Sequence, residues 1–413
     1  MLKIFRLFLS VYFLQILSLS AQPKQPLVEW IEAQPDQDSP QTIYIDGFED
    51  GKTLQSKYAD FDSHSGDLAI INSVSFGNSG HCVRGHWASG QVGAGYMTYM
   101  FGRNPIKSQS HSDSDFDEIF WRFYMRVSKN WTGNPFKLTR ATIFASSNWA
   151  QAMIGHVWGD NSSDLRLALD PASGVNSNGD LVTTKYNDFN NLKWLGLKRT
   201  VNDIYDNSRN QSWYCIEVHI KLNTLGQSDG IFELWVDDFL EVRRDDLNWR
   251  STWDDYGINA VLFANYWNSG AIREQERYLD NLVIASNRIG MAYAPINPVI
   301  QKTQYESSGQ ADSQSSFQAQ ISTSESSENL VWQGSITGKE NQIRVSKEYG
   351  NFSGDLSGLT SLKKDKAYYA RVRQVDNNSN LSDWSPWKIF ITGLDSSDTI
   401  PPNKPVNLKI ISN

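Results

Sequence analysis

The stretch WYCIEVHIKL, Trp213 to Leu222, decides the fold, because apolar side chains occupy every second position in it. A β-strand places successive side chains on opposite faces, so this alternation predicts a strand with one buried face. The predicted core face consists of Tyr214, Ile216, Val218, Ile220 and Leu222. The opposite face mixes rings with charged groups and consists of Trp213, Cys215, Glu217, His219 and Lys221.

The same two-faced pattern recurs elsewhere in the chain. It is found in IFWRFYMRV from Ile119 to Val127, LRLALD from Leu165 to Asp170, and IFELWVD from Ile231 to Asp237. Short segments of this kind, separated by clusters of Gly, Asn, Asp and Ser, continue from Tyr44 to about Ala294 without a helical period. Such a series predicts an all-β sandwich or barrel of many strands.

Composition excludes several classes of protein. The chain has 413 residues, which at about 150 residues per domain allows two or three domains. It is 39% hydrophobic and 20% charged, so it is neither a membrane bundle nor a disordered polymer. A net charge of -8 argues against nucleic acid as a partner, since phosphate binding needs a basic surface. The aromatic share of 12% favours a β protein whose rings pack a core or stack on sugars.

Residues 1–21 have the pattern of a secretory signal peptide. Lys3 and Arg6 precede an apolar run from Leu7 to Leu19, and small residues follow. The run is too short for a membrane span, and no later stretch reaches the roughly 20 apolar residues that a spanning helix needs. We therefore expect a secreted protein, extracellular, periplasmic or at the cell surface, without a membrane span. Outside the cytosol Cys82 and Cys215 could pair, and two separate buried thiols are an equal alternative.

Shifts in composition predict the domain boundaries. Residues 22–40 are rich in Pro, Gln and Asp and are expected to form a linker. The large β domain is expected over residues 41–295 and a smaller β domain over 296–395. Residues 396–413 are expected to be a tail or the start of a further module.

The smaller domain ends with two strand-like segments. They are YYARVRQVD, Tyr368 to Asp376, and SDWSPWKIFIT, Ser382 to Thr392. With Leu362 six residues before Tyr368, they resemble a fibronectin type III module. In such sandwiches a corner tyrosine hydroxyl bonds back to the backbone upstream, and Tyr368 fits that role. The resemblance implies a spacer or docking module, for example to a cell surface or matrix.

The polar faces of the alternating strands suggest a binding surface. If the strands are neighbours, their cations and rings would line a groove for an acidic polysaccharide, because rings stack on sugars and arginine forks bind carboxylates. The alternative is a solvated face with salt bridges such as Arg122 to Glu217. The expected substrate-binding residues are Arg122, Arg126, Arg166, Glu217, Lys221 and Trp235.

Several motifs of the large domain together resemble a known fold family. They are DGFEDG (46–51), EIFWRFYMRVSKNW (118–131), KLTRATIF (137–144), WYCIEVHIKLN (213–223), DGIFELWVDD (229–238) and YLDNLVIASNRIG (278–290). The set is similar to the concanavalin A-like jelly roll of polysaccharide lyases, in particular the family 14 type of alginate and glucuronan lyases. The resemblance implies two stacked antiparallel sheets, with the polysaccharide bound on the concave one.

A lyase that cleaves a uronic acid polymer by β-elimination needs three groups. It must neutralise the carboxylate, remove the proton at C5 and protonate the leaving oxygen. The candidates are Arg140 or Arg122 for the carboxylate, His156, His219 or Lys137 for the base, and Tyr124 or Tyr266 for the acid.

Two of these candidates carry open questions. In a regular strand the spacing of three puts Lys137 and Arg140 on opposite faces, although a bulge or a strand start at Pro135 would bring them together. His156 could equally be a structural histidine.

Two other functions use the same fold. A lectin or carbohydrate-binding module needs the rings and charges but no poised acid and base. A jelly-roll glycoside hydrolase needs Glu and Asp at alternating positions of one strand, and no such E-x-D-x-x-E or E-x-D-x-E run is present. Elimination is therefore preferred to hydrolysis.

A structural calcium ion is a separate expectation. Asp46 and Glu49 near the start of the large domain and Asp280 near its end offer hard oxygen ligands, and the first and last strands of related jelly rolls are neighbours. Two polar turns without an ion are the alternative. No cofactor is expected to be needed for catalysis.

Overall fold

The protein is all-β in the computed structural model, as the alternating pattern predicts. The predicted signal peptide and the predicted C-terminal tail lie outside the described part of the chain. No helix in the described part is both long enough and apolar enough to cross a membrane. The structure describes residues 22–77, 80–135, 137–161, 163–308 and 313–393.

Twenty-five strands follow one another in the described chain, with one short helix, α1 (Leu54–Lys57), and four short 3₁₀ turns. The first twelve strands are β1 Val28–Ile31, β2 Thr42–Asp46, β3 Asp60–Asp62, β4 Leu68–Ile71, β5 Cys82–Trp87, β6 Gly93–Met100, β7 Glu118–Val127, β8 Lys137–Phe144, β9 Gln151–Asn161, β10 Asp164–Ser173, β11 Lys193–Trp194 and β12 Lys198–Arg199. The others are β13 Tyr214–Lys221, β14 Gly230–Val236, β15 Phe239–Leu247, β16 Ala260–Tyr266, β17 Gln275–Ala285, β18 Tyr293–Ala294, β19 Val299–Lys302, β20 Gln314–Ser322, β21 Leu330–Thr337, β22 Gln342–Arg344, β23 Gly350–Phe352, β24 Ala367–Asp376 and β25 Lys388–Thr392.

Two antiparallel sheets of eight strands form the large domain. The sheet that we call the front sheet has the order β11-β10-β9-β8-β16-β6-β3, with β12 also paired to β10. The back sheet has the order β15-β14-β13-β7-β17-β5-β4, with β2 also paired to β17. One apolar cluster contains side chains from both sheets, so the domain is a β-sandwich.

The core faces predicted from sequence are confirmed. Tyr214, Ile216 and Val218 of β13 belong to the core cluster, and so do the alternate apolar residues of β7, β10 and β14. The indole nitrogen of Trp121 donates to the Thr139 hydroxyl, 3.1 Å, which joins the two sheets inside this core. The period-two alternation therefore identifies the inward side of each strand.

The smaller domain is a second sandwich. Its six-stranded sheet has the order β18-β25-β24-β20-β21-β23, and a three-stranded sheet has the order β1-β19-β22. Their shared core includes Ile300, Phe317 and Trp332. The Tyr368 hydroxyl accepts the backbone N–H of Lys363 at 3.0 Å, which confirms the predicted corner.

The expected linker over residues 22–40 instead contains a strand of the distant domain. This strand is β1, Val28–Ile31, and it pairs with β19 so that Ile31 lies opposite Ile300. Val28 and Ile31 are buried in the core of the smaller sandwich. The strand is short and its Pro- and Gln-rich flanks hide it, so composition alone predicted a linker.

The two cysteines are free and buried. Cys82 lies on β5 and Cys215 on β13, and two strands, β17 and β7, separate them in the back sheet. Three strand spacings amount to about 14 Å. A disulfide needs Cα atoms within about 7 Å, so the alternative of two separate thiols holds.

Candidate active site

The outer face of the back sheet, which carries most of the predicted substrate-binding residues, is covered by other parts of the chain. Arg122 is fully buried there and forms an ion pair with Asp36. Arg126 forms an ion pair of 2.9 Å with Glu29. Both acids belong to the N-terminal segment, residues 28–36, which therefore neutralises the two arginines.

The segment that joins the two domains, residues 288–292, covers another part of this face. Two of its backbone N–H groups donate to the Glu217 carboxylate, at 2.6 and 2.8 Å. The Tyr124 hydroxyl accepts a third, from Ala292, at 2.9 Å. Tyr124 is 2% exposed, so it is not a catalytic acid for a polymer outside the protein.

Two other predicted residues of this face, His219 and Trp235, also contact side chains of the protein itself. His219 lies between Glu118, 2.8 Å away, and Glu233, 2.7 Å away. The guanidinium of Arg288 lies 4.7 Å from the ring centroid of Trp235, which is 9% exposed. His219 is therefore held between two carboxylates on the back sheet, not on the front sheet with Lys137, Arg140 and His156.

Two further predicted residues do not join a binding surface on the back sheet. Lys221 is paired with Glu118 at 3.8 Å, and Arg166 with Asp164 at 2.8 Å. Arg166 belongs to β10, which lies in the front sheet, so the four alternating strands do not share one sheet. The prediction of an open groove along these strands is wrong, because alternation shows that a face is polar but not what covers it.

The front sheet brings four of the six catalytic candidates together on its outer face. Arg140 of β8 lies directly opposite His156 of β9, and Tyr266 of β16 lies opposite Lys137 of β8. The ammonium of Lys137 lies 4.5 Å from the centroid of the Tyr266 ring. We call Lys137, Arg140, His156 and Tyr266 the cationic site.

A bulge in β8 places two of these cations on the same face. The pairing of β8 with β9 shifts by one residue between Lys137 and Thr139, so Leu138 and Thr139 both point into the core. The side chains on either side of this pair, Lys137 and Arg140, consequently point outward together. The sequence analysis named such a bulge as the condition under which both could act, and the structure contains it.

Arg140 is a buried cation without a counter-charge. It is 5% exposed, and its Nη1 donates to the side-chain oxygen of Asn187 at 2.9 Å. Its guanidinium lies 4.7 Å from the centroid of the Tyr186 ring. Burial lowers the pKa of Arg140 to about 10. No described carboxylate lies within ion-pair distance, so the positive charge of Arg140 is not neutralised within that part of the chain.

Lys137 is the second cation of the site. Burial, and then repulsion from Arg140, lower the pKa of Lys137 to about 8. A lysine with this pKa is a neutral amine in roughly a tenth of the molecules at pH 7, which is enough for general-base catalysis. Within the described part of the chain it forms no ion pair.

His156 adds a hydrogen-bond acceptor beside the cations. Its Nδ1 lies 3.2 Å from the carbonyl oxygen of Asp170, so we assign the ring proton to Nδ1 and an acceptor lone pair to Nε2. The Nε2 atom is buried and has no hydrogen-bond partner among the described residues. Burial first, then Arg140 and Lys137, hold the pKa of His156 well below its usual range. The imidazole is therefore neutral.

Exposed rings border the cationic site. The exposed fraction is 37% for Tyr186, 45% for Phe189, and 41% for both Trp194 and Tyr266. Trp194 stacks at 5.6 Å on His156, which connects the rings to the cationic site. The sequence analysis did not name Tyr186, Phe189, Trp194 or Asn187. Their signal was the aromatic content of the polar loop KYNDFNNLKW, residues 185–194.

The three carboxylates predicted to bind calcium have other partners. Asp46 forms an ion pair with Lys57, and Glu49 accepts the backbone N–H of His81 at 2.7 Å. Asp280 lies two residues before Leu282, the partner of Asp46 in the pairing of β17 with β2, and accepts the backbone N–H of Phe76 at 2.8 Å. In the part of the chain that is described, no three His, Cys, Asp or Glu side chains form a group that could hold a metal ion. As placed, the three do not fit a calcium site, and a thermal melt with and without chelator tests the prediction.

One family model matches part of the chain, within the smaller domain. Residues 302–396 match the family model described as the Rha78A-like, N-terminal immunoglobulin domain. The sequence resembled a fibronectin type III module instead, and both are antiparallel β-sandwiches. No curated protein matches the chain.

Solved structures with a similar fold include three lyases. The endo-β-1,4-glucuronan lyase from Trichoderma reesei is 13% identical, with 60% of this chain and 96% of that chain covered and a TM-score of 0.40. The marine alginate lyase from Aplysia kurodai is 13% identical, with 60% and 99% covered and a TM-score of 0.40. The alginate lyase from Chlorella virus is 12% identical, with 57% and 95% covered and a TM-score of 0.39.

Proposed function

We propose that the protein is a secreted polysaccharide lyase that cleaves a uronic acid polymer by β-elimination on the outer face of the front sheet. One observation carries the proposal. Two cations that have no carboxylate partner among the described residues, the buried Arg140 and the half-buried Lys137, lie together on this face beside exposed rings. An acidic sugar chain supplies both missing partners, since its carboxylates meet the cations and its ring faces meet the aromatic side chains.

Each of the side chains of the cationic site has a separate role in the proposed reaction. Arg140 pairs with the uronate carboxylate and spreads its charge, which acidifies the proton at C5. The neutral amine of Lys137 takes that proton. The bond between C4 and its bridging oxygen then breaks, and the Tyr266 hydroxyl donates its proton to the leaving oxygen. The new chain end carries a C4–C5 double bond. His156, directly opposite Arg140 and neutral, packs beside the cations without adding a third positive charge.

The charge arrangement favours an anionic substrate over a neutral one. Burial lowers the pKa of both Arg140 and Lys137, and repulsion from Arg140 lowers that of Lys137 further, so their charged forms are already disfavoured. A bound carboxylate relieves both effects, whereas a neutral sugar does not. The same relief is larger in the transition state, where negative charge grows on the carboxylate, so it accelerates the reaction.

The proposal is tested by incubating the protein with glucuronan or alginate and following absorbance near 235 nm, where the unsaturated product absorbs. We expect a rise with the wild-type protein and none with Arg140→Ala. Arg199→Ala, which removes an arginine paired with Asp164 on the same sheet, is the matched control and should retain activity. Tight binding without any absorbance change would instead make the protein a carbohydrate-binding module.

A further inference from the structure

The smaller domain carries a second group of rings and cations, which we call the arginine–tryptophan face. Arg371 and Arg373 alternate along β24 and point away from the core of the sandwich. Trp384 and Trp387 come from the segment that follows β24 and is hydrogen-bonded along it. All four side chains are partly exposed.

The geometry of this face is a stack of flat groups. The guanidinium of Arg371 lies 4.7 Å from the ring centroid of Trp384 and 4.3 Å from that of Trp387. The guanidinium of Arg373 lies 4.5 Å from the Trp384 centroid. Each stack is an exposed cation–π pair of the kind that contributes modestly to stability.

Side-chain amides of the neighbouring strand fix the two arginines. Arg371 donates from Nε and Nη2 to the side-chain oxygen of Gln320, at 2.9 and 2.6 Å. Arg373 donates from Nε to Gln318 at 2.7 Å. Among the described residues, Nη1 of Arg371 and both Nη atoms of Arg373 have no hydrogen-bond partner, so they can bind a ligand.

Neither arginine has a counter-charge in the described part of the chain. Several other arginines do have one, for example Arg126 with Glu29 and Arg243 with Glu233. On the arginine–tryptophan face burial lowers the pKa of both residues, and Arg373 lowers that of Arg371 further. In a protein of net charge -8, two adjacent cations without a carboxylate form a site for an external anion.

We propose that the arginine–tryptophan face is a second binding site, for an acidic polysaccharide, separate from the cationic site. Its composition repeats that of the cationic site, where Arg140 also lacks a carboxylate and lies over a ring, Tyr186. Guanidinium forks bind uronate carboxylates, and the tryptophan edges and exposed ring surfaces contact the sugar rings. The smaller domain then holds the polymer while the front sheet acts on it.

The test is calorimetric titration of the full-length chain with glucuronan or alginate hexasaccharides, in a Lys137→Met background that prevents cleavage. We expect two sites per chain, of which Arg371→Gln/Arg373→Gln removes one or weakens it about tenfold. The matched control, Lys339→Gln/Lys363→Gln, removes the same charge from exposed positions of the same domain and should keep both sites.

The outcomes separate this inference from the proposed function. If only the cationic site binds, one site is seen and the double arginine variant leaves it unchanged, which overturns the inference alone. If only the arginine–tryptophan face binds, the single site disappears in that variant. Equal loss in the lysine control, or equal binding of a neutral cello-oligosaccharide, would also overturn it. Arg373→Gln, which loses one hydrogen bond, replaces the double variant if that variant melts early.

Discussion

Lys137 illustrates how burial converts an ordinary lysine into a candidate base. Its ammonium has lost part of its water, faces the ring of Tyr266, and is repelled by Arg140. The loss of water and the repulsion from Arg140 destabilise the charged form relative to the neutral amine. The side chain can therefore accept a proton near neutral pH, which an unperturbed lysine with a pKa near 10.4 does rarely.

The first prediction follows from this pKa. The base must be unprotonated, so kcat/KM should rise about tenfold per pH unit below about 8 and level off above it. Lys137→Met should lower kcat by about 10² to 10⁴-fold. Lys107→Met, at an exposed position, is the control and should keep both the rate and the profile. A flat profile between pH 6 and about 8 would assign the base to another group.

At the scale of elements, the bulge in β8 decides whether the cationic site exists. Without the extra residue, Lys137 and Arg140 would project to opposite sides of the front sheet. The bulge interrupts the hydrogen-bond ladder at one position, and it turns a functional side chain to the other face of the sheet. Bulges beside active sites commonly have this role. The adjacent strand β9 then supplies His156 in direct register.

The short strand β11 carries an exposed ring beside the cationic site. Trp194 is 41% exposed and is held by pairing with Ala172 of β10. Trp194→Ala should raise KM roughly fivefold, for a loss of about 1 kcal/mol, with kcat nearly unchanged because the ring contacts ground state and transition state alike. The control is Phe239→Ala, which removes an exposed ring from the back sheet and should not change KM. A fall in kcat alone would contradict a binding role.

The order of strands in the back sheet makes a prediction about the cysteines. Cys82 and Cys215 are free and lie three strand spacings apart, so reducing agent should not change the melting temperature. A disulfide closing so long a loop would contribute about 4 kcal/mol or more, and its reduction would lower melting by many degrees. Differential scanning calorimetry with and without dithiothreitol measures this, and thiol titration of the unfolded chain should find two free thiols.

At the scale of the whole molecule, the N-terminal segment ties the two domains together. Its β1 strand completes the smaller sandwich, and Glu29 and Asp36 neutralise arginines of the back sheet. Residues far apart in sequence therefore share one folding unit. The two ends of the described chain depend on each other for burial of their apolar side chains.

The fourth prediction tests that dependence. Ile31 is 6% exposed in the core of the smaller domain, so Ile31→Ala should lower the free energy of unfolding by about 2 to 5 kcal/mol. Gln37→Ala, a few residues away at an exposed position, should change it by less than about 0.5 kcal/mol. Chemical denaturation of both variants measures the difference. Equal stabilities would show that residues 22–40 are a linker after all.

The residues of the candidate site could be predicted from the sequence, but their grouping into one site could not. Sequence analysis named all four residues of the cationic site, because lysine, arginine, histidine and tyrosine are the groups that elimination requires. It also named His219 and Tyr124, which the structure buries among partners on the other sheet. The chemistry of a side chain can be known from its identity, whereas its accessibility depends on what the rest of the chain places over it.

The sequence by itself determined the all-β class, the inward face of each strand and the tyrosine corner at Tyr368, since period-two alternation and a corner contact five residues long are local properties. Only the tertiary structure decided which polar face stays open. The back sheet is covered because residues 28–36 and 288–292 supply its carboxylates and N–H groups, and the front sheet gains its site from a one-residue bulge. Both are set by contacts between distant segments, whose energies no local pattern contains.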